Sequence, residues 1–156
     1  MKKIFIDTNV LIDYSKGFGL KLKPLLEKQA KNLIRLYINP IVIVEYMNDY
    51  NLTNKETIKK AEQFLQNFYL INTNGDIALV TANILRTKQI LYIGDALIAA
   101  TCLENKLELM TNNQKDFKNV RGLKIFNFDS NYLTEQEDLK NIGKIHKVIS
   151  KARKEL

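Results

Sequence analysis

The sequence predicts an α/β fold built on a parallel sheet. Runs with helical spacing alternate with short apolar runs along the chain, and those short runs lack clear polar alternation, as strands covered on both faces do. The length of 156 residues suits one domain with one core. A composition of 46% hydrophobic and 26% charged residues is that of a globular chain and excludes a disordered one. No internal repeat, low-complexity tract or linker rich in Pro, Gly or Ser interrupts the pattern.

The first apolar run, Ile4-Phe5-Ile6, reads as a strand ended by Asp7-Thr8-Asn9, residue types that favour turns and helix caps. A short helix through Val10-Leu11-Ile12 then stops near Gly17. Over 20–34, Leu22, Leu25, Leu26, Ala30, Leu33 and Ile34 recur at steps of three and four and predict a helix with Pro24 in its first turn. A strand is expected at 36–38. Asn39-Pro40 then places an N-cap residue before a proline at the first helical position. The β-branched run Ile41-Val42-Ile43-Val44 favours a strand by propensity, but the cap signal is more specific and predicts a helix. Further helices are expected over 55–68, 76–89 and 95–105, with strands at 69–71, 107–110 and 123–126 and a turn-rich stretch over 111–119.

The formal charge of +7 favours a polyanionic partner, nucleic acid first and an anionic membrane surface second, although a Lys- and Asn-rich composition by itself also raises the charge. The single cysteine, Cys102, sits in an apolar run and suits a small buried hydrophobe in a reducing compartment. The chain starts with an acid after three apolar residues and contains no run long enough to span a membrane, so no signal peptide and a cytoplasmic location are expected. The one histidine, His146, excludes a mechanism that needs paired histidines. Dinucleotide binding requires a Gly-rich turn after the first strand, and none is present. A haloacid-dehalogenase-type phosphatase requires a second Asp where Asn9 stands.

In open α/β sheets the functional crevice lies beyond the carboxyl ends of the strands. Asp7 follows the first strand, Asp95 follows Tyr92-Ile93-Gly94, taken as extended, at a helix start, and Asp116 lies in the turn after 107–110. Glu45 lies one and a half turns into its helix, on the rim facing the same end. Four carboxylates gathered there would need a compensating cation, and an all-oxygen set suits Mg²⁺ or Mn²⁺ rather than zinc. Each acid also suits an ordinary role: Asp7 and Asp95 as helix N-caps, Asp116 as a turn residue, Glu45 as a solvated side chain.

Four segments in order, Phe5-Ile6-Asp7-Thr8-Asn9-Val10-Leu11-Ile12, Pro40 to Glu45, Asp95-Ala96-Leu97-Ile98-Ala99-Ala100 and Thr111 to Phe117, resemble the motifs of PIN-domain nucleases, in particular the VapC-like toxins of type II toxin–antitoxin systems. The resemblance covers about residues 3–128. It implies a three-layer α/β/α sandwich and a metal-dependent endoribonuclease that cleaves single-stranded or structured RNA. Asp7, Glu45, Asp95 and Asp116 would be the catalytic acids that bind Mg²⁺, with Mn²⁺ as substitute, and Thr8, Asn9, Thr111 and Asn113 their polar support. Some relatives carry an acid where Asn113 stands, so Asp116 and Asn113 are alternatives for the fourth member. A homodimer and a cognate antitoxin are the implied partners. Hydrolysis by an activated water would leave 5′-phosphate and 3′-hydroxyl ends. The alternative is a PIN-like module that binds RNA without cleaving it, or an RNA-processing factor.

Residues 129–156 read as a basic amphipathic helical extension packed on a PIN-like domain of residues 1–128. Thr134 and Glu137 resemble a capping box, after which Lys140, Lys144, Lys147, Lys151 and Lys154 form one stripe and Ile142, Ile145, Ile149, Ala152 and Leu156 another. The lysine stripe suits a solvated face, an RNA-backbone contact or a partner interface.

Overall fold

The computed structural model describes residues 1–49 and 51–128. In chain order the elements are β1 (Lys2–Ile6), α1 (Thr8–Ser15), α2 (Leu22–Ala30), β2 (Ile34–Ile38), α3 (Pro40–Met47), α4 (Lys55–Leu65), β3 (Tyr69–Leu70), α5 (Gly75–Arg86), α6 (Ile93–Asn105), β4 (Glu108–Met110), α7 (Gln114–Phe117) and β5 (Lys124–Ile125). The five strands form one sheet in the order β3-β2-β1-β4-β5, and every pairing is parallel. Flanking helices complete the expected three-layer α/β/α arrangement. Met1–Phe126 form one compact unit. The expected C-terminal helix and its lysine stripe, including Lys140, Lys144, Lys147, Lys151 and Lys154, lie outside the described residues.

Successive strand residues face opposite sides of a sheet. Ile4, Phe5 and Ile6 are all fully buried, so both faces at β1 are covered. In β2 burial alternates instead: Ile34, Leu36 and Ile38 are buried while Arg35 is exposed. The Arg35 guanidinium lies 5.2 Å from the Tyr69 ring centroid, a cation–π contact at the end of the sheet where β3 forms the edge. Phe64 on α4 stacks on Tyr14 of α1 and tilts against Tyr46 of α3, docking the three helices through one aromatic cluster.

The helix predicted after Asn39-Pro40 forms as α3. The Asn39 side chain accepts from the Val42 amide and its backbone is extended, the geometry of an N-cap, which outweighs the strand propensity of the β-branched run. The helix expected over 20–34 is shorter. α2 ends at Ala30, Asn32 turns the chain at φ 57°, and Ile34 already belongs to β2. Leu33 and Ile34 matched the helical period across a turn. Residues 92–94 are not a strand: Tyr92 is the N-cap of α6, and Asp95 stands in its first turn. The turn-rich stretch contains the short helix α7.

Candidate active site

From β1 to β3 the chain builds the sheet outward in one direction, then crosses back to place β4 on the other side of β1. That reversal opens a crevice at the carboxyl ends of β1 and β4. Ile6 and Met110 are in register there, and the Asp7 amide donates to the Met110 carbonyl at 3.0 Å. Asp7 and Thr111, the residues that follow the two strands, therefore meet.

Asp7 is 4% exposed. One carboxylate oxygen accepts from the Thr8 amide at 2.7 Å, so Asp7 caps α1; the other accepts from Asn9 Nδ2 at 2.8 Å and Thr111 Oγ1 at 2.6 Å. Burial pushes its pKa up to about 6; the Thr111 and Thr8 hydrogen bonds oppose the rise, and the charges of Asp95 and Glu45 add to it. The Asp95 carboxyl is also raised, first by burial and then by Asp116 and Glu45. Asp95 thus links the predicted acids, acting on Asp7 and being acted on by Asp116 and Glu45. They do not form a closed cage: among the described residues no group of three or more His, Cys, Asp or Glu side chains is gathered to hold a metal ion.

Each remaining acid has its own support. Thr8 Oγ1 donates to Glu45 Oε2, joining the start of α1 to α3. Asn113 Nδ2 donates to Asp116 Oδ2. The two alternatives for the fourth position are hydrogen-bonded partners, and it is the Asp116 charge that acts on Asp95. Asp95 is not an N-cap; in the first turn of α6 its charge complements the positive end of the helix dipole. Asn9 bridges the two halves of the crevice, donating to Asp7 and Thr111 while its Oδ1 accepts from the Asn112 amide at 3.0 Å.

Three contributors escape sequence reasoning. Asn112 Nδ2 donates to Asp13 at 2.6 Å and pins the loop after β4 to α1. Thr101 Oγ1 accepts from Asn39 Nδ2 at 2.9 Å and donates to the Leu97 carbonyl, so the fully buried cap of α3, the Glu45 helix, is tied to α6, the Asp95 helix. Gly94, beside Asp95, lies so close to Glu45 that a Cβ there would stand 2.6 Å from Oε1. No local pattern marks these three contacts, which join residues far apart in the chain.

The PIN domain family model matches residues 4–123. The chain belongs to the PIN domain family. Among PIN proteins it is 34% identical to the ribonuclease VapC2 of Methanocaldococcus jannaschii over 139 residues, covering 79% of this chain and 92% of that one. It is 30% identical to the ribonuclease VapC1 of Rickettsia felis over 137 residues, covering 81% and 97%. Among solved structures it resembles a chain of VapBC2 from Rickettsia felis bound to a DNA fragment from its promoter, with TM-score 0.68, 25% identity and coverage of 81% of this chain and 99% of that chain. It also resembles a chain of a toxin–antitoxin complex from Klebsiella pneumoniae, with TM-score 0.59, 30% identity and coverage of 77% and 94%. The PIN fold accounts for the parallel sheet and its flanking helices.

Proposed function

We propose that this chain is an endoribonuclease that hydrolyses RNA phosphodiester bonds with Mg²⁺, or Mn²⁺ in its place, and that it is the toxin of a toxin–antitoxin pair. The observation that carries this reading is Asp7: a buried carboxylate at the crevice, held by three hydrogen bonds and acted on by two further negative side chains. Such a site favours a cation. Asp7, Glu45, Asp95 and Asp116 supply hard oxygen donors and fit Mg²⁺, which keeps several of its waters and takes only one or two carboxylates directly, so it does not need a closed cage. When bound, the ion neutralises charge on the phosphate and activates water.

The protein's own groups orient and hold. Thr8, Asn9 and Thr111 fix the Asp7 oxygens, the Thr8 hydroxyl fixes Glu45, and Asn113 fixes Asp116. Among the described residues there is no histidine, and the Cys102 thiol is pushed well up, first by burial and then by the Asp7 charge, which keeps it neutral. The +7 charge of the chain draws the RNA backbone toward the domain. The relatives named VapC ribonucleases support the substrate, and those solved as toxin–antitoxin complexes support a cognate antitoxin as partner. Val44, Leu79, Leu91, Tyr92 and Ile93 leave apolar surface exposed that suits protein contact, including a second copy of the chain. Among the described residues no helix is long and apolar enough to cross a membrane. RNA as substrate and a reduced Cys102 suit the cytoplasm.

The test is cleavage of a panel of single-stranded RNAs by purified protein, with Mg²⁺ or Mn²⁺ and with EDTA. Cleavage should require the ion. Undiminished cleavage in EDTA overturns the mechanism, and metal-dependent binding without cleavage favours the non-cleaving module.

A further inference from the structure

We propose that Gly94 is a positioning residue for Glu45: its missing side chain leaves the space in which the Glu45 carboxylate rests beside Asp95. The inference rests on the nuclease reading for its effect on activity, but its geometry stands apart from that reading.

Glycine destabilises a helix relative to alanine, so a glycine inside one calls for a reason. Gly94 is the second residue of α6, and the described glycines with left-handed backbones are Gly17 and Gly122, so its conformation does not require glycine. The surroundings do. A Cβ at 94 would stand 2.6 Å from Glu45 Oε1, a distance real Cβ atoms do not tolerate, while its next neighbours, Glu45 Cδ and Ile41 Cγ1, lie at an ordinary 3.7 Å. The obstruction is therefore the carboxylate alone. Gly75 gives the contrast: it also lies in the first turn of a helix, and a Cβ there meets nothing within 4 Å.

Glu45 is thus held from two sides. The Thr8 hydroxyl donates to Oε2, and the bare backbone of Gly94 lies against Oε1. Because the obstructing atom is the end of a flexible side chain, Gly94→Ala should fold. Its methyl would drive the carboxylate back by about 1 Å to reach ordinary contact distance. A misplacement of that size costs a reaction on the order of a hundredfold.

The test compares Gly94→Ala with wild type, with Gly75→Ala and with Gly94→Ala in a Glu45→Asp background. Metal-free protein is first read by the side-chain carboxyl ¹³C resonance of Glu45, which Gly94→Ala should shift and Gly75→Ala should not. The melting temperature of Gly94→Ala should stay level or rise. Its Mn²⁺ affinity, measured by calorimetry without RNA, should fall about tenfold, and RNA cleavage by ten- to a hundredfold. Glu45→Asp withdraws the carboxylate by one methylene and clears the methyl, so in that background Gly94→Ala should change affinity and rate by less than about twofold.

The proposal is overturned if Gly94→Ala leaves the Glu45 resonance at its wild-type position, or if it lowers affinity and rate as much in Glu45→Asp as in Glu45. If wild-type protein neither binds Mn²⁺ nor cleaves RNA, the nuclease reading falls, and the Glu45 resonance alone decides on Gly94.

Discussion

Asp7→Asn should abolish RNA cleavage without lowering stability at neutral pH, and the pH dependence of that stability tests the electrostatics of the crevice. Asp7 ionises in the folded protein at about 6 against an ordinary 3.8, a difference of about 3 kcal/mol. The folded state keeps the proton to higher pH than the unfolded chain. Wild-type stability from this group therefore falls as pH rises from about 4 to 6, and the whole penalty is present above that window. Asn does not titrate, so the stability of the variant relative to wild type should climb by about 2.4 kcal/mol between pH 4 and pH 7, the rest of the ~3 kcal/mol falling below pH 4. An opposing cost is fixed by the hydrogen bonds. Thr8 N–H donates to one carboxylate oxygen and Asn9 Nδ2 to the other, so whichever oxygen becomes NH₂ faces a donor, at a cost of about 1–3 kcal/mol. At pH 7 the variant should equal wild type or exceed it by up to about 2 kcal/mol. Urea denaturation of both proteins in EDTA, at intervals from pH 4 to 7, measures the difference. A difference that stays flat across this range refutes the reasoning.

Three further outcomes follow from the same contacts. Thr101→Val leaves the buried Asn39 amide without its acceptor and should cost about 1–3 kcal/mol, seen as a lower urea midpoint, with cleavage falling as α3 and α6 lose their tie. Thr111→Val removes a hydrogen bond that holds the Asp7 pKa down, so the Asp7 carboxyl should titrate above about 6 when followed by NMR. Asp116→Asn should raise the Mn²⁺ concentration needed for cleavage, whereas Asn113→Ala, which loses the amide that orients Asp116, should lower turnover at saturating metal; a metal titration of each variant checks both.

The parts of the fold legible in the sequence are those fixed by local chemistry. The Asn39-Pro40 cap identified α3 because a side chain three residues from its amide partner needs no distant neighbour. The end of α2 was not legible: Leu33 and Ile34 continued the apolar spacing, and the φ 57° of Asn32 that breaks the helix leaves no mark on that spacing. The apolar Tyr92-Ile93 read as extended, yet Ile93 opens α6 at 64% exposure. The candidate acids were found because they stand next to strand ends or follow a recognisable order. What connects them was hidden, since Thr8–Glu45, Asn39–Thr101 and Asn9–Asn112 join residues 37, 62 and 103 positions apart. Pairings at that range depend on how the sheet is ordered, which no local pattern encodes.

The reversal that sets β4 against β1 also governs when the crevice can come into being. Asp7 and Glu45 are made early and Asp95 and Asp116 late, and the bond from Thr111 to Asp7 closes a loop of 104 residues. As the chain leaves the ribosome, its first half carries two of the acids but not the strand that completes their surroundings. Closure over so long a span comes late in folding. No amino-terminal fragment ending before β4 (Glu108–Met110) can hold the assembled crevice, so the site waits until the chain has been made past Asp116 of its 156 residues. A chain divided in the loop between α3 and α4 would separate the acids two and two, and recovery of cleavage on mixing would report the joining of the halves directly.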